Sequence, residues 1–482
     1  MRKILLLLIL YILFGTFLPF IRQPAVSEET ASFDPASVYG ADYSGQRVDI
    51  ISDNTEALAE RIRLISRAQD RIILSTSDFK SDVAGKQVLS ALADATERGV
   101  RVQVIVDGFS GLLQMEGDPY FYALSAQPNA QVKLYNPIRP WLPWTLMSRL
   151  HDKYLVADDT AFLLGGRNTY STFLGEGKDL TKYDWDALVW SEDSTDAMEQ
   201  VTDYFQSVWD YKESKIFHDK TSLLEKKKVR EAREELREIY QDLRINHADW
   251  FSERDYATTT LPAGKISLLQ NPIHTGTKEP VCYYELTEVL ASGSDTVIHT
   301  PYLICNGWMM DRLGRVCEKN SSTRMLTNSV ANNSNPFGAT DYRAHRGRLL
   351  NTGVHLLEYD SGVSYHGKCA RIDDNLTVVG SLNFDMRSAY IDTELMLVID
   401  SPEVNAQMAR EMQEYEDECL QVIDADHSIA PEGHTPRTIP VSGKILMGLM
   451  RVLFSWAPFF SRVLQNKRRK RSCATPPDGK CG

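Results

Sequence analysis

The sequence predicts an α/β fold made of two tandem, related α/β/α sandwich units with mixed sheets. The first observation is a set of residues that recurs at an offset of 215 positions. The recurring residues are His151, Lys153, Asp158 and Asn168 in one copy and His366, Lys368, Asp373 and Asn383 in the other. The second observation is that short runs rich in Val, Ile and Leu alternate with segments of helical apolar spacing, in the same order in both halves. Such an internal repeat indicates two copies of one structural unit.

The first unit is predicted at residues 48–221. Its runs of β-branched residues predict strands, and apolar residues three and four apart predict helices. The predicted strands are 48–52, 71–75, 100–106, 131–135, 153–157, 161–164 and 187–190, and the predicted helices are 55–68, 85–97 and 197–211. The segment 222–264 is highly charged with alternating signs, which predicts an exposed helix connecting the two units.

The second unit is predicted at residues 265–427 and repeats this order. The predicted strands are 266–269, 296–300, 323–327, 354–359, 368–372 and 376–379, and the predicted helices are 283–292, 307–318 and 341–350. In both units the strand that carries the His and Lys continues through a turn into a second strand. Asp158 and Asp373 stand at these turns, which favours a structural role for them.

The repeated His and Lys point toward chemistry on an anionic group. Residues two apart on a strand share a face, so each His-x-Lys pair points into one site. Lys supplies positive charge to a phosphate, and His serves as a nucleophile or proton donor. Asn168 and Asn383 can donate hydrogen bonds, and the glycines before them let the backbone approach a ligand. No metal site is expected, because Lys is not a usual ligand and the His residues lack partners at metal spacing.

The two stretches resemble the paired HxKxxxxD motifs of the phospholipase D superfamily, and more narrowly its bacterial cardiolipin synthase branch. The resemblance extends from about residue 48 to about residue 412. The segments that carry it are 151–168, 173–177, 184–186, 301–302, 326–329 and 380–388.

This resemblance implies that the two units face one another about a pseudo-two-fold axis and form a single site. One His attacks phosphorus and forms a phosphohistidine, and the other protonates the leaving alcohol. In the family's usual order, His151 is the nucleophile and His366 the acid. The side chains of Lys153, Lys368, Asn168 and Asn383 would hold the non-bridging oxygens in place of a metal. No cofactor is expected.

Two further acidic residues are expected to orient the histidine rings. Pairing Asp184-Trp185-Asp186 with Asp392-Thr393-Glu394 assigns this role to Asp186 and Glu394. Asp186 lies 35 residues after His151 and Glu394 lies 28 after His366. This alignment therefore predicts seven extra residues in the first unit, within the loop 170–182.

Composition limits the other possibilities. The formal charge of −12 argues against a broad nucleic-acid surface. All seven cysteines lie in the second half of the chain, and their odd number does not indicate a disulfide framework. A pair between Cys473 and Cys481 stays open.

Both ends of the chain predict membrane contact. Residues 1–26 read as a signal anchor or signal peptide, and residues 27–47 as a linker. Residues 428–443 read as a second linker and 444–471 as an amphipathic, basic helix at the membrane interface, with packing on the catalytic core as the alternative. Residues 472–482 read as a disordered tail. The positive charges at positions 2 and 3 predict a cell-membrane protein with extracytoplasmic catalytic units.

The expected function is phosphatidyl transfer at the membrane, as in cardiolipin synthesis from the anionic lipid phosphatidylglycerol. The alternatives are hydrolysis of phospholipids to phosphatidic acid, a more distant endonuclease, and a silent membrane scaffold. No nucleic-acid partner is expected, and one chain can complete the site. Trp141 and Trp144, just before the first motif, suit either lipid contact or core packing.

Overall fold

The computed structural model describes residues 2–40, 44–175, 181–439, 443, 445 and 447–449. Most of the predicted interfacial helix at 444–471, the tail at 472–482 and residues 176–177 of the resemblance lie outside the described residues. The predictions for these segments stay predictions.

The first half contains the following elements. The strands are β1 (Arg47–Ile51), β2 (Arg71–Thr76), β3 (Arg101–Asp107), β4 (Ala130–Tyr135), β5 (Tyr154–Ala157), β6 (Ala161–Gly165), β7 (Lys182–Tyr183), β8 (Asp186–Trp190), β9 (Ser214–Ile216) and β10 (Leu261–Pro262). The helices are α1 (Arg2–Phe17), α2 (Glu28–Ala31), α3 (Asn54–Arg67), α4 (Val83–Glu97), α5 (Gly108–Ser110), α6 (Pro119–Ser125), α7 (Asp196–Asp210), α8 (Lys227–Asn246) and α9 (Tyr256–Thr259).

The second half repeats the pattern. The strands are β11 (Ile266–Gln270), β12 (Thr296–His299), β13 (Leu303–Ile304), β14 (Arg324–Asn328), β15 (His355–Tyr359), β16 (Ser364–Tyr365), β17 (Cys369–Ile372), β18 (Leu376–Gly380), β19 (Phe384–Asp385), β20 (Leu395–Asp400), β21 (Cys419–Val422) and β22 (Ser428–Ile429). The helices are α10 (Val281–Leu290), α11 (Gly307–Lys319), α12 (Pro336–Leu350), α13 (Met386–Tyr390) and α14 (Pro402–Asp417).

Each half forms a large mixed sheet. Among the described residues, the first sheet has the order β10-β1-β8-β6-β5-β2-β3-β4-β9 and the second has the order β11-β20-β18-β17-β12-β14-β15-β21-β22. In both sheets the motif hairpin is antiparallel, and three strands on one side of it, β2-β3-β4 and β12-β14-β15, pair in parallel. The predicted fold class, two α/β units with mixed sheets, is confirmed.

Three apolar clusters hold these layers together. One packs α3, α4, α6 and α8 on the outer face of the first sheet, and a second packs α10 and α11 on the outer face of the second sheet. The third cluster joins residues of both sheets with α7 and α14. Because this third cluster contains side chains from both units, the interface between them is itself a hydrophobic core.

One face of helix α8 is buried, although the charge pattern predicts an exposed helix. Its outer face is charged, but Val229, Leu236 and Leu243 are buried in the first unit's cluster against α4 and α6. The prediction of a solvated bridge is therefore wrong for this inner face. The apolar residues recur at helical spacing, and this signal is hidden among the charges.

The predicted linker after α1 is packed rather than free. The backbone N–H of Ser27 donates to Glu279 at 2.6 Å, and that of Gly40 donates to Asp400 at 2.7 Å. Val38 is buried beside α10. The segment thus fastens the N-terminal region to the second unit.

Candidate active site

The motif aspartates close the two hairpins. Asp158 and Asp373 both adopt left-handed backbone conformations, with φ of 51° and 48°. The Asp158 carboxylate accepts the backbone N–H groups of residues 69, 70 and 71 at 2.8–3.2 Å, and Asp373 accepts those of residues 294 and 295 at 2.8 Å. Asp158 lies seven residues along the chain from His151, roughly 23 Å at 3.3 Å per residue of extended chain. This geometry supports the structural role favoured from the sequence.

His151 is held by residues of the second unit. Its backbone N–H donates to the Thr393 hydroxyl at 3.0 Å, and its ring Nδ1 lies 2.8 Å from Oε1 of Glu394. The other oxygen of Glu394 accepts the Ser381 hydroxyl at 2.5 Å. Glu394 is thus the carboxylate that fixes the orientation of the His151 ring. The Lys153 ammonium donates a hydrogen bond to the His151 carbonyl.

His366 is held by residues of the first unit in the same way. Its Nδ1 lies 2.6 Å from Oδ2 of Asp184, and the other oxygen of Asp184 accepts the backbone N–H of Trp185 at 2.9 Å. The Lys368 ammonium lies 3.4 Å from Asp184 and 2.5 Å from Nδ1 of His366. The ammonium, the imidazole and the carboxylate form one buried group.

Short strands bring the two motifs into one site. Strand β7 pairs in parallel with β16, which ends immediately before His366. On the other side, the backbone N–H of Thr393 donates to the Arg149 carbonyl at 3.0 Å. The predicted His and Lys residues of both copies therefore meet, and each histidine takes its carboxylate from the opposite unit.

The prediction that Asp186 orients a histidine is wrong. Asp186 is buried and bonds to Arg61 at 2.8 Å and Arg167 at 3.2 Å. The sheet register explains the error. Gly165 faces Asp186 across β6 and β8, whereas the equivalent Gly380 faces Met396 across β18 and β20.

Asp184 is therefore the structural equivalent of Glu394. Asp184 lies 33 residues after His151 and Glu394 lies 28 after His366. The first unit thus carries five extra residues between these positions, not seven. Because the two acidic residues lie two positions apart, the sequence allows two alignments of residues 184–186 with residues 392–394. Only the strand register distinguishes these alignments.

The paired glycines Gly165 and Gly166 allow close packing against the neighbouring strand. A Cβ built on Gly166 would lie 2.2 Å from Oδ1 of Asp184, and one on Gly165 would lie 2.1 Å from the Trp185 carbonyl. The glycines thus allow Asp184 to come close to the strand. In the second unit, Ser381 occupies the position of Gly166 and bonds to Glu394 instead.

The two motif asparagines follow strands β6 and β18. The amide oxygen of Asn168 accepts the backbone N–H of Asp78 at 3.2 Å, which leaves its NH₂ group to donate. The amide oxygen of Asn383 is buried without a hydrogen-bond partner among the described residues. Their predicted contact with phosphate oxygens stays a prediction.

Burial sets the charge state of this site. Burial, followed by the charge of the neighbouring lysine, holds the pKa of His151 and His366 well below the ordinary histidine value. Burial lowers the pKa of Lys368 to about 7 and raises that of Glu394 to about 7. Both imidazoles are therefore neutral near pH 7 in the free site, as a nitrogen nucleophile requires.

The sequence analysis missed other polar residues around His151. Asp152, between the motif His and Lys, accepts the Ser75 hydroxyl at 2.5 Å and the Tyr204 hydroxyl at 2.7 Å. Arg149 and Arg387 line a cavity of about 400 Å³ that opens beside His151. The arginines are close to the motif in sequence, but their spacing matches no simple strand or helix pattern.

Comparison with known proteins identifies the family of this site. Residues 61–209 and 286–415, more than half of the chain, match the family model described as "Cardiolipin synthase, PLD-like domain". The chain belongs to this family. It is an enzyme of the phospholipase D superfamily, of phosphatidyltransferase or phosphodiesterase type, and the predicted resemblance is confirmed. Membership supports a phospholipid phosphatidyltransferase of phospholipase D type.

Individual relatives agree with the family. The chain is 26% identical over 390 residues to cardiolipin synthase C of Escherichia coli, covering 73% of this chain and 80% of the relative. It is 24% identical over 444 residues to an uncharacterized protein of Helicobacter pylori, covering 83% and 87%. The crystal structure of a phosphatidylserine synthase from Haemophilus influenzae superposes with a TM-score of 0.61 at 15% identity, covering 90% of this chain and 96% of that one. This last likeness shows the shared fold.

Proposed function

We propose that this protein transfers a phosphatidyl group from one phospholipid to another through a phosphohistidine, as in cardiolipin synthesis from two molecules of phosphatidylglycerol. The observation that carries the proposal is the paired arrangement of His151 with Glu394 and of His366 with Asp184. A carboxylate at Nδ1 favours the tautomer with a proton on that nitrogen. Nε2 of His151 can then meet phosphorus, and Nε2 of His366, which the Lys368 ammonium approaches to 3.4 Å, can meet an alcohol oxygen.

In the first step, His151 Nε2 attacks the donor phosphorus and an N–P bond forms. The bond from phosphorus to the leaving glycerol oxygen breaks, and protonated His366 gives its proton to that oxygen. Glu394 stabilises the positive charge that develops on His151. Lys153 and Lys368 balance the negative charge of the non-bridging oxygens.

In the second step, the reaction runs in reverse with a new alcohol. Neutral His366 accepts the proton of the acceptor hydroxyl, whose oxygen attacks phosphorus. The N–P bond breaks and His151 leaves as the free imidazole. Water in place of the acceptor would give phosphatidic acid, so exclusion of water decides between transfer and hydrolysis.

Substrate binding would allow His366 to take up from solvent the proton that it needs. In the free site the pKa of His366 is low because the ring is buried among cationic lysines. A phosphodiester anion placed between the lysines would offset their charge and favour the protonated ring. Binding of the substrate and protonation of His366 are thereby coupled.

We further propose that the enzyme is held at the membrane by its N-terminal helix. Residues Lys3–Phe20 form the one helix among the described residues that is long and apolar enough to cross a bilayer. The end of this segment belongs to the fold: Phe20 is buried in the second unit, and the Pro19 carbonyl accepts the Thr277 hydroxyl at 2.7 Å. Removal as a signal peptide would delete these contacts, so we favour the uncleaved anchor. The extracytoplasmic placement of the catalytic units stays a prediction.

The deciding experiment uses purified protein in phosphatidylglycerol vesicles, with products resolved by mass. Cardiolipin together with glycerol is the expected result. Phosphatidic acid alone would show that the enzyme hydrolyses phospholipids and does not transfer the phosphatidyl group. Cleavage of DNA without any lipid product would show that the protein is a nuclease. His151→Ala and His366→Ala should abolish turnover, and normal turnover in both would contradict the catalytic assignment.

The nucleophile is identified by trapping. A donor labelled on phosphorus should leave its label on His151 when the reaction is quenched. With a donor whose leaving group needs no proton, such as a nitrophenolate, the His366→Ala variant should accumulate the label because the acceptor step lacks its base. Label found on His366 alone would reverse the two roles.

A further inference from the structure

A group of exposed apolar side chains belongs to two segments that line the cavity beside His151. Two segments provide it: residues 108–115, which include α5 and a π-helical turn, and residues 141–148, just before the first motif. Both segments line the cavity, the first with Phe109 and Leu113 and the second with Leu146 and Met147. The exposed side chains are Phe109, Leu112, Leu113, Trp141 and Trp144, with exposed fractions of 52%, 51%, 58%, 66% and 39%, and we call them the apolar rim.

The rim is attached to the N-terminal helix. The Tyr11 hydroxyl donates to the Trp141 carbonyl at 2.9 Å. Gly15 lies so close to Pro143 that a Cβ on it would come within 2.3 Å of the proline ring. Tyr11 lies six residues before the end of α1, roughly 9 Å along the helix axis at 1.5 Å per residue. The loop that contains Trp141 therefore lies alongside the C-terminal turns of α1 and does not contact only its last residue.

We propose that the apolar rim lies in the interfacial layer of the bilayer, beside the anchoring helix, and that lipid enters the cavity from there. If α1 enters the membrane with its end at Phe17 near the surface, Pro143 beside Gly15 lies roughly 3 Å along the helix axis from that end, and the Trp141 carbonyl beside Tyr11 lies at most roughly 9 Å from it. This range includes the interfacial depth where Trp and Tyr are enriched in membrane proteins. Leaving five large apolar side chains in water would be unfavourable, and contact with lipid removes this cost. The proposal extends the membrane anchoring and lipid chemistry of the proposed function.

The cavity completes the path from the bilayer to the chemistry. Its lining combines apolar side chains, two of them from the rim (Phe109 and Leu113), with His151, Arg149 and Arg387. It also includes Asp78 and Asp107, and Asp107 pairs with Arg149 at 3.4 Å. A phospholipid could therefore keep its acyl chains near the membrane while its phosphate meets cationic side chains. This arrangement selects a substrate that is apolar at one end and anionic at the other.

The first test locates the bilayer by photo-crosslinking. The full chain, reconstituted in phosphatidylglycerol-containing vesicles, carries a photoreactive amino acid at Leu112 or Trp141. Matched controls carry it at Ile245 or Val83, which are 77% and 73% exposed and lie on α8 and α4. We expect lipid adducts from the rim positions and not from the controls. Equal adducts at all positions, none at the rim, or crosslinks to a second copy of the chain would overturn the proposal.

The second test separates membrane contact from chemistry. Leu112→Glu and Trp141→Glu should each lower turnover of vesicle lipid about tenfold, because a carboxylate opposes entry into an apolar, anionic surface. Turnover of a short-chain phosphatidylglycerol below its micelle concentration should be unchanged, and Ile245→Glu should change neither rate. Loss with both substrates, or with neither, would overturn the role of the rim. Failure of the unsubstituted protein on both substrates would instead contradict the proposed function.

Discussion

Replacing Asp184 by Asn tests the reassignment of the carboxylate that serves His366. The substitution keeps size and shape, and one amide atom can still accept the Trp185 N–H as Oδ1 does now at 2.9 Å. The amide NH₂ then faces Nδ1 of His366 in place of Oδ2, which lies at 2.6 Å. An NH₂ donor favours the opposite tautomer of the ring, with the proton on Nε2. His366 can then neither accept the acceptor's proton nor hold a stable positive charge.

The size of the effect follows from two lost contributions. A hydrogen bond between a carboxylate and a charged partner contributes roughly 1.5–3 kcal/mol, and the wrong tautomer adds a similar cost. The sum, about 3–6 kcal/mol, corresponds to a fall in kcat of roughly 10²–10⁴ at 1.36 kcal/mol per tenfold. Glu394→Gln should give a loss of the same order, because Glu394 holds His151 in the same way.

The matched control is Asp186→Asn. Asp186 bonds to two buried arginines and does not contact a histidine. We expect this variant to lose stability, by about 3–5 kcal/mol for breaking a buried ion pair, while the folded fraction keeps its kcat. The assay is turnover of phosphatidylglycerol normalised to folded protein, with urea denaturation beside it. Normal kcat in Asp184→Asn together with a large loss in folded Asp186→Asn would refute the reassignment.

Three further predictions concern the hairpin turn, the site charge and α8. Asp158→Ala should lower the free energy of unfolding by about 1–3 kcal/mol and Asp158→Asn by less, because Asn also accepts N–H groups and tolerates the left-handed conformation. Loss of kcat without loss of stability in a denaturation series would contradict this. A bound phosphodiester anion should raise the pKa of Lys368 from about 7. The affinity for a singly charged phosphonate should therefore be highest below pH 7 and fall as the pH rises, and calorimetry should detect proton uptake on binding. Affinity independent of pH from 6 to 9 would contradict that charge state. Leu236→Ala should destabilise the protein by about 2–5 kcal/mol, since α8 packs on the first unit; an unchanged denaturation midpoint would show that α8 is dispensable.

The motif hairpins could be predicted from the sequence because their signals are local. The His, the Lys, the turn Asp and the Asn lie within 18 residues in each copy, with no insertion among them. The offset of 215 therefore holds throughout the motif. The strand positions follow from period-two geometry, and the paired site follows from the duplication.

The carboxylate partner could not be predicted in this way, because an insertion breaks the offset before Asp184. Asp184 and Asp186 fall two residues apart, and their side chains have the same chemistry. Only the pairing of β8 with β6 distinguishes them. The inner face of α8 and the packing of residues 27–40 depend on surfaces of other elements, which no local pattern contains.

The exchange of carboxylates between the units has a consequence during synthesis. The N-terminal unit leaves the ribosome first and can begin to fold while residues 392–394 are not yet joined to the chain. His151 then has no Glu394 to orient it, and Asp184 has no His366 to serve. A nascent or truncated first unit thus holds His151 without its carboxylate partner, and under the proposed mechanism such a unit is expected to be inactive. Under that mechanism the site becomes complete only when the whole chain exists, without any separate inhibitor.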